Sequence, residues 1–203
     1  ASNTSGLSIN EMAKAFKKPQ RFVGMHFFNP VNRMPLVEII PSKKTSDETI
    51  ATIVDISKKT GKTPIVVKDC AGFLVNRILL PYMNEAMYIL QDVGYVEGVD
   101  KLIKNFGMPM GPFTLADEVG IDVGYKVAAH LEESYGERMK VCPLLEEIYN
   151  DLKLLGKKSG AGFYIYEKGK KTLNSQIQTL DIKRSTLADA EILDRAILTM
   201  VNE

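Results

Sequence analysis

Residues 73–93, FLVNRILLPYMNEAMYILQDV, are apolar around most of a helical circumference. A helix of that kind is stable only when other elements surround it. The segment therefore dictates a helical layer built about one central helix. Pro81 lies inside it and predicts a kink. Further helices read at 96–106, 112–119, 121–135 and 143–155. GKKSGAGFYIY then reads as a Gly-rich turn with a short extended piece, and KGKKTLNSQ as an exposed basic linker.

The central helix has an echo. Residues 73–85 read FLVNRILLPYMNE and residues 191–203 read EILDRAILTMVNE. At an offset of 118, Arg77 matches Arg195, Leu80 matches Leu198, Asn84 matches Asn202 and Glu85 matches Glu203. Leu74/Ile192 and Leu79/Ile197 are apolar matches. The spacing is helical, which favours an internal repeat over two unrelated amphipathic helices. The second copy stops in mid-helix, so the expectation is a fragment of a longer protein.

Before Gly72 the chain has a different character. Ser8 predicts the cap of a helix over 9–16, with Glu11 placed for a capping box. RFVGMHFF and LVEII read as buried strands separated by the loop NPVNRMP. Ser46 opens a helix over 47–60 that Gly61 stops, and PIVVK reads as a third strand. Residues 1–68 are thus α/β and 71–167 all-α. Three strands are few for a sheet standing alone, which again points to sequence before Ala1.

Composition removes several function classes. Lys plus Arg is 26 and Asp plus Glu is 25, a net charge of +1. Such a balance gives no electrostatic case for nucleic acid or an anionic membrane. No apolar run approaches the roughly 20 residues of a membrane span. Cys70 and Cys142 form no CxxC pair, so neither a disulfide scaffold nor a metal site is expected, and an intracellular setting is.

TGKT at 60–63 has the tail of a phosphate loop but Ile56 where its first Gly belongs, so Gly61 reads as a helix stop. No GxGxxG occurs in the chain. The informative pair is His26 with Glu38. Each sits in an apolar strand, and the loop between them is long enough to bring the strands side by side. A lone strand histidine is usually a satisfied core residue. A glutamate among Val and Ile is harder to dismiss, because burying it unpaired costs several kcal/mol. Pairing resolves both, and a carboxylate-held histidine is also a general base. Spacing alone leaves the structural and catalytic readings open. Asn76, in the first turn of the apolar helix, is a third candidate, with helix capping as its alternative.

SNTSGLSI, FVGMHFFNPVNRMPLVEII, DCAGFLVNRILLPYMNEA, GMPMGPF and LGKKSGAGFYIY together resemble L-3-hydroxyacyl-CoA dehydrogenases, and more closely the dehydrogenase portion of multifunctional fatty-acid β-oxidation enzymes. The resemblance runs from Ala1 to about Glu167. It implies that residues 1–69 are the C-terminal part of an NAD-binding Rossmann domain. Residues 70–167 are then the family's helical C-terminal domain, and 168–203 a linker and the start of a second helical repeat. It implies NAD as cofactor, 3-hydroxyacyl-CoA as substrate, His26 as catalytic histidine and Glu38 as its carboxylate partner. Ser5 and Asn76 become substrate-side residues, and Ser5, Asn29 and Lys158 cofactor-side ones. The GxGxxG half would precede Ala1, and without it the chain is expected to be inactive alone. A homodimer through the helical domain, a thiolase subunit in the parent complex and a bacterial cytoplasmic setting complete the expectation. The competing reading is a non-catalytic helical dimerisation module derived from such an enzyme.

Overall fold

The computed structural model describes residues 1–203 and divides into two compact units, Ala1–Arg77 and Ile78–Glu203. In the first, β1 (Val23–Phe27) runs antiparallel to β2 (Leu36–Pro41), and β2 runs parallel to β3 (Thr63–Val66). The short helix α1 (Ile9–Ala13) precedes the sheet, and α2 (Asp47–Lys59) is the crossover from β2 to β3.

β2 is the central strand, buried on both faces. Side chains alternate across a strand, and here the alternation is strict. Val37 and Ile39 pack with Val23 and the α2 residues Ile53 and Val54. Ile40 packs the other way, with Ile9, Ala13, Phe22 and Phe73. Glu38 shares that second face. Gly24 lets α1 settle there, since a Cβ on it would fall 2.8 Å from Ile9 Cδ1.

The ends of α1 and α2 follow the expected chemistry with one change. Ser46 caps α2, accepting from Thr49 N at 3.3 Å. Ser8 accepts from Glu11 N in α1, but Glu11 turns to Lys14 and does not close a capping box. Asp69 closes that end, taking Ile9 N, Asn10 N and Ser8 Oγ at 2.7–3.0 Å. α1 stops at Ala13, three residues short of the expected end.

The second unit is built around α3 (Val75–Val93), which runs through Pro81 and buries Leu80, Tyr82, Met83, Ala86, Met87, Ile89 and Leu90. α4 (Val96–Phe106), α5 (Pro112–Val119), α6 (Ile121–Tyr135) and α7 (Pro143–Asn150) enclose it. Two buried carboxylates brace this layer. Asp100 accepts from Phe113 N and Thr114 N at the start of α5 and from Tyr164 Oη. Asp117 accepts from Phe163 N, Tyr164 N and Tyr166 Oη. Burial pushes the Asp117 carboxyl above its ordinary range, partly offset by those donors. Gly111 and Gly162 permit the approach, because a Cβ at either would lie within 2.3 Å of the carboxylate.

The stretch expected as an exposed linker is structured. β5 (Lys170–Leu173) folds back on β4 (Tyr164–Glu167) as an antiparallel hairpin, and Asn174 is buried, donating to Gly162 O at 2.8 Å. The reason is local: Lys168 and Gly169 both take positive φ at the hairpin turn, and the lysines stay exposed while the backbone pairs.

The repeat helix is α8 (Asp189–Asn202). Arg195 donates to Glu85 at 2.7 Å and Asp92 at 2.9 Å. The Arg195 hydrogen bond holds the Asp92 carboxyl below its ordinary value of 3.8. The unfolded chain then binds the proton more readily. The contribution is present above the ordinary value and lost as pH falls through the folded one. Arg195→Met should cost about 1 kcal/mol at pH 7, a partly exposed network. The deficit should narrow below about pH 4, measured as urea midpoints across pH. A deficit constant from pH 7 to pH 3 would assign the effect to packing alone.

Candidate active site

The β1–β2 register places His26 directly opposite Glu38, on the α1 face of the sheet. Both are buried, Glu38 completely. His26 Nδ1 lies 2.7 Å from Glu38 Oε2. The other carboxylate oxygen is also taken. Oε1 accepts Leu74 N and Val75 N, each at 3.0 Å, at the start of α3.

That arrangement fixes the histidine's protons. Glu38 faces donors on every side, so it serves as acceptor, and Nδ1 must carry the hydrogen of the shared bond. Neutral His26 then holds its lone pair on Nε2. Tyr82 Oη is the one buried side-chain polar atom without a partner in the chain. Nε2 makes no hydrogen bond within the chain, on a side chain that is 9% exposed. The ring is walled by Phe28, with centroids 4.8 Å apart, and by Phe73 at 5.7 Å. The result is a carboxylate-backed base with apolar sides and one nitrogen left without a partner in the chain.

The turn before α3 is unusual. Gly72 has φ +75° and Phe73 φ +49°. A bulky residue in the left-handed region costs roughly 1–3 kcal/mol. Phe73 is nonetheless buried, in the cluster with Ile9, Phe22 and Ile40. Cys70 O accepts from Phe73 N, and Cys70 Sγ donates to Phe73 O.

The remaining candidates fall into two groups. Asn76 Nδ2 reaches Ser5 O at 3.4 Å, so these two are brought together beside the α3 start. The Ser5 hydroxyl and the Asn29 side chain are exposed and make no hydrogen bond within the chain. Asn29 opens a cis bond to Pro30 at the end of the His26 strand. Lys158 belongs to the second unit, where it pairs with Asp122 and holds that carboxyl below its ordinary range. The Leu74 and Val75 amides, Phe28 and the Gly72–Phe73 turn were not singled out in the sequence. The one available signal was the absence of Ser, Thr, Asp or Asn at 72–74, which leaves the start of α3 without its own cap.

An uncommitted imidazole nitrogen on His26, with the exposed Ser5 hydroxyl and Asn29 amide in the same unit, fits in chemistry the reacting end of a nicotinamide and a hydroxyl substrate. The GxGxxG turn that cradles a dinucleotide's phosphates does not occur within residues 1–203. No helix is long and apolar enough to cross a membrane, and no cluster of side chains suits a metal.

Comparison with known proteins gives a consistent result. The model of the 3-hydroxyacyl-CoA dehydrogenase NAD-binding domain matches residues 1–70, and that of the same proteins' C-terminal domain matches 72–166. The fatty acid oxidation complex subunit alpha of Shewanella amazonensis is 49% identical over 208 residues, covering all of this chain and 29% of that protein. Its Vibrio parahaemolyticus counterpart is 49% identical over 206 residues, again with 29% of its length covered. The chain thus spans less than a third of these relatives. The crystal structure of (S)-3-hydroxybutyryl-CoA dehydrogenase from Ralstonia eutropha superposes with a TM-score of 0.77 at 41% identity, covering 82% of this chain and 60% of that one. The dehydrogenase part of C. elegans multifunctional enzyme 1 gives 0.69 at 33% identity, covering 98% and 47%.

Proposed function

The chain belongs to the 3-hydroxyacyl-CoA dehydrogenase family, and from that premise we propose that it supplies the acid–base centre for NAD-dependent oxidation of L-3-hydroxyacyl-CoA to 3-oxoacyl-CoA. The observation that carries this is the Glu38 carboxylate saturated by His26 Nδ1 on one oxygen and two amides on the other. It leaves His26 Nε2 as a base open to substrate.

His26 Nε2 takes the proton of the substrate 3-hydroxyl. Glu38 balances the positive charge that then develops on the imidazole. Its own negative charge is shared with the α3 amides, so the proton stays on nitrogen and the relay does not collapse to a neutral acid. Ser5 and Asn76, already adjacent, hold the substrate oxygen against Nε2, an effect of positioning. Phe28 and Phe73 keep water from the ring. Asn29 and Ser5 would border the nicotinamide of NAD and Lys158 would serve on the cofactor side, and the cofactor would supply the hydride acceptor for C3. The phosphate-binding half is supplied by sequence outside residues 1–203.

The relatives' description as complex subunits supports a partner subunit, which the family resemblance makes one of the thiolase type, and their bacterial origin supports a cytoplasmic setting. Exposed Leu198 and Val201 on α8 support a further apolar contact, as a homodimer would make.

The test is NADH formation from (S)-3-hydroxybutyryl-CoA and NAD by the protein that carries this chain together with a GxGxxG half. Turnover confined to 3-hydroxyacyl-CoA thioesters is expected. Absence of turnover with intact NAD binding would refute the reading and leave the dimerisation module in its place.

A further inference from the structure

Glu38 acts as the N-terminal cap of α3 from 36 residues upstream, through Leu74 N and Val75 N. Those amides point at it because the chain turns sharply just before the helix, with two successive left-handed residues, Gly72 at φ +75° and Phe73 at φ +49°. Glycine takes such a conformation freely, and phenylalanine does not. What phenylalanine adds is its ring, which lies 5.7 Å from the His26 ring and is 2% exposed. One residue therefore serves both members of the pair: its ring walls the histidine and its backbone turn aims the Leu74 and Val75 amides at the glutamate.

The repeat shows that helix packing does not demand this turn. Gly72 and Phe73 correspond to Ala190 and Glu191, and Asn76 to Asp194. In the second copy those positions are ordinary helix, and α8 begins at Asp189, which corresponds to Ala71. α3 begins at Val75, one turn later. The left-handed turn is found only in the copy whose helix start serves Glu38.

We propose that Phe73 is a positioning residue. The Gly72–Phe73 turn holds the Leu74 and Val75 amides on Glu38, and Glu38 thereby holds His26 with its hydrogen on Nδ1 and its lone pair on Nε2. The proposal rests on the reading of His26 as the base, so its test has a part that needs no turnover.

The chain has only two histidines, His26 and the half-exposed His130, which makes ¹⁵N-histidine NMR of the 203-residue chain direct. Wild type should show a downfield, slowly exchanging Nδ1–H and a bare Nε2 for His26. Val75→Pro deletes one donor at the first helical position, where proline is tolerated. Phe73→Leu keeps burial and removes the ring. In Val75→Pro, exchange of the Nδ1–H should quicken by about tenfold or more, the loss of one hydrogen bond to a charged group. In the dehydrogenase, kcat should fall about tenfold while KM for the acyl-CoA stays within about twofold. Phe73→Leu should move both in the same direction by less. Unchanged exchange and unchanged kcat in a folded variant would overturn the proposal, as would a lowered melting temperature with neither effect. Should Val75→Pro not fold, the same two outcomes are read on Phe73→Leu. A wild-type chain with the expected Nδ1–H, and no turnover of 3-hydroxyacyl-CoA once it is joined to a GxGxxG half that binds NAD, would refute the function and leave the positioning role standing.

Discussion

Replacing His26 by glutamine is expected to slow turnover of 3-hydroxyacyl-CoA by roughly 10²–10⁴-fold, the range for removing a positioned general base. NAD affinity should stay within about twofold, since the reacting nitrogen and not the cofactor's anchor is lost. The substitution suits the site. A glutamine amide can donate to Glu38 Oε2 as Nδ1–H does, so the buried carboxylate keeps a partner, and its other oxygen still holds Leu74 N and Val75 N. The fold should therefore survive with a loss of about 1 kcal/mol, mostly from contacts with Phe28 and Phe73. With no base present, the residual rate should climb with pH as hydroxide takes over, without the plateau a titrating histidine gives. Steady-state kinetics across pH 6–10 would check both features. Near-normal kcat, or a plateau that persists, would remove His26 from the mechanism.

The central pair was legible in sequence because two polar residues interrupted two apolar strands, and burying either alone would be costly. Strand period and loop length then brought the pair into reach, and the observed register sets them directly opposite. What stood outside the sequence was the other half of the glutamate's environment. Backbone amides carry no residue signature, and the turn that aims them depends on a phenylalanine in a conformation its type disfavours. Local propensity and tertiary demand disagree there, as they do where a site is being held. The β5 hairpin was missed for a simpler reason. Lys170 and Lys171 read as solvated linker, but an edge strand is often lysine-rich because its side chains stay in water while its backbone pairs. Asp100 and Asp117 were overlooked among 25 acidic residues. Only the structure shows that they receive the ends of elements that Gly111 and Gly162 allow close.

Glu38→Gln separates a merely electrostatic role from the one the geometry supports. Read from the pairing alone, the change should cost less than loss of the histidine, because only the balancing charge disappears. The two amides on Oε1 alter that expectation. Glutamine offers one accepting oxygen and one donating amide. If its oxygen faces Leu74 N and Val75 N, its NH₂ faces His26 Nδ1, which must then accept. The imidazole hydrogen moves to Nε2, the nitrogen that has to take the substrate proton. If the side chain flips, its NH₂ faces two backbone donors and leaves them buried without an acceptor, at about 1–3 kcal/mol each. The first orientation is the cheaper, so the variant should fold and hold the wrong tautomer. The expected loss in kcat is on the order of 10⁴-fold, the scale seen when a triad histidine is held in the wrong tautomer. Glu38→Ala should be less stable but more active than Glu38→Gln, because an unheld imidazole still samples the tautomer with a bare Nε2. Measuring kcat for both, alongside the ¹⁵N shifts of His26, decides the matter. A glutamine variant that outperforms the alanine one would show that Glu38 contributes charge alone, and that the amides of α3 serve only to cap their helix.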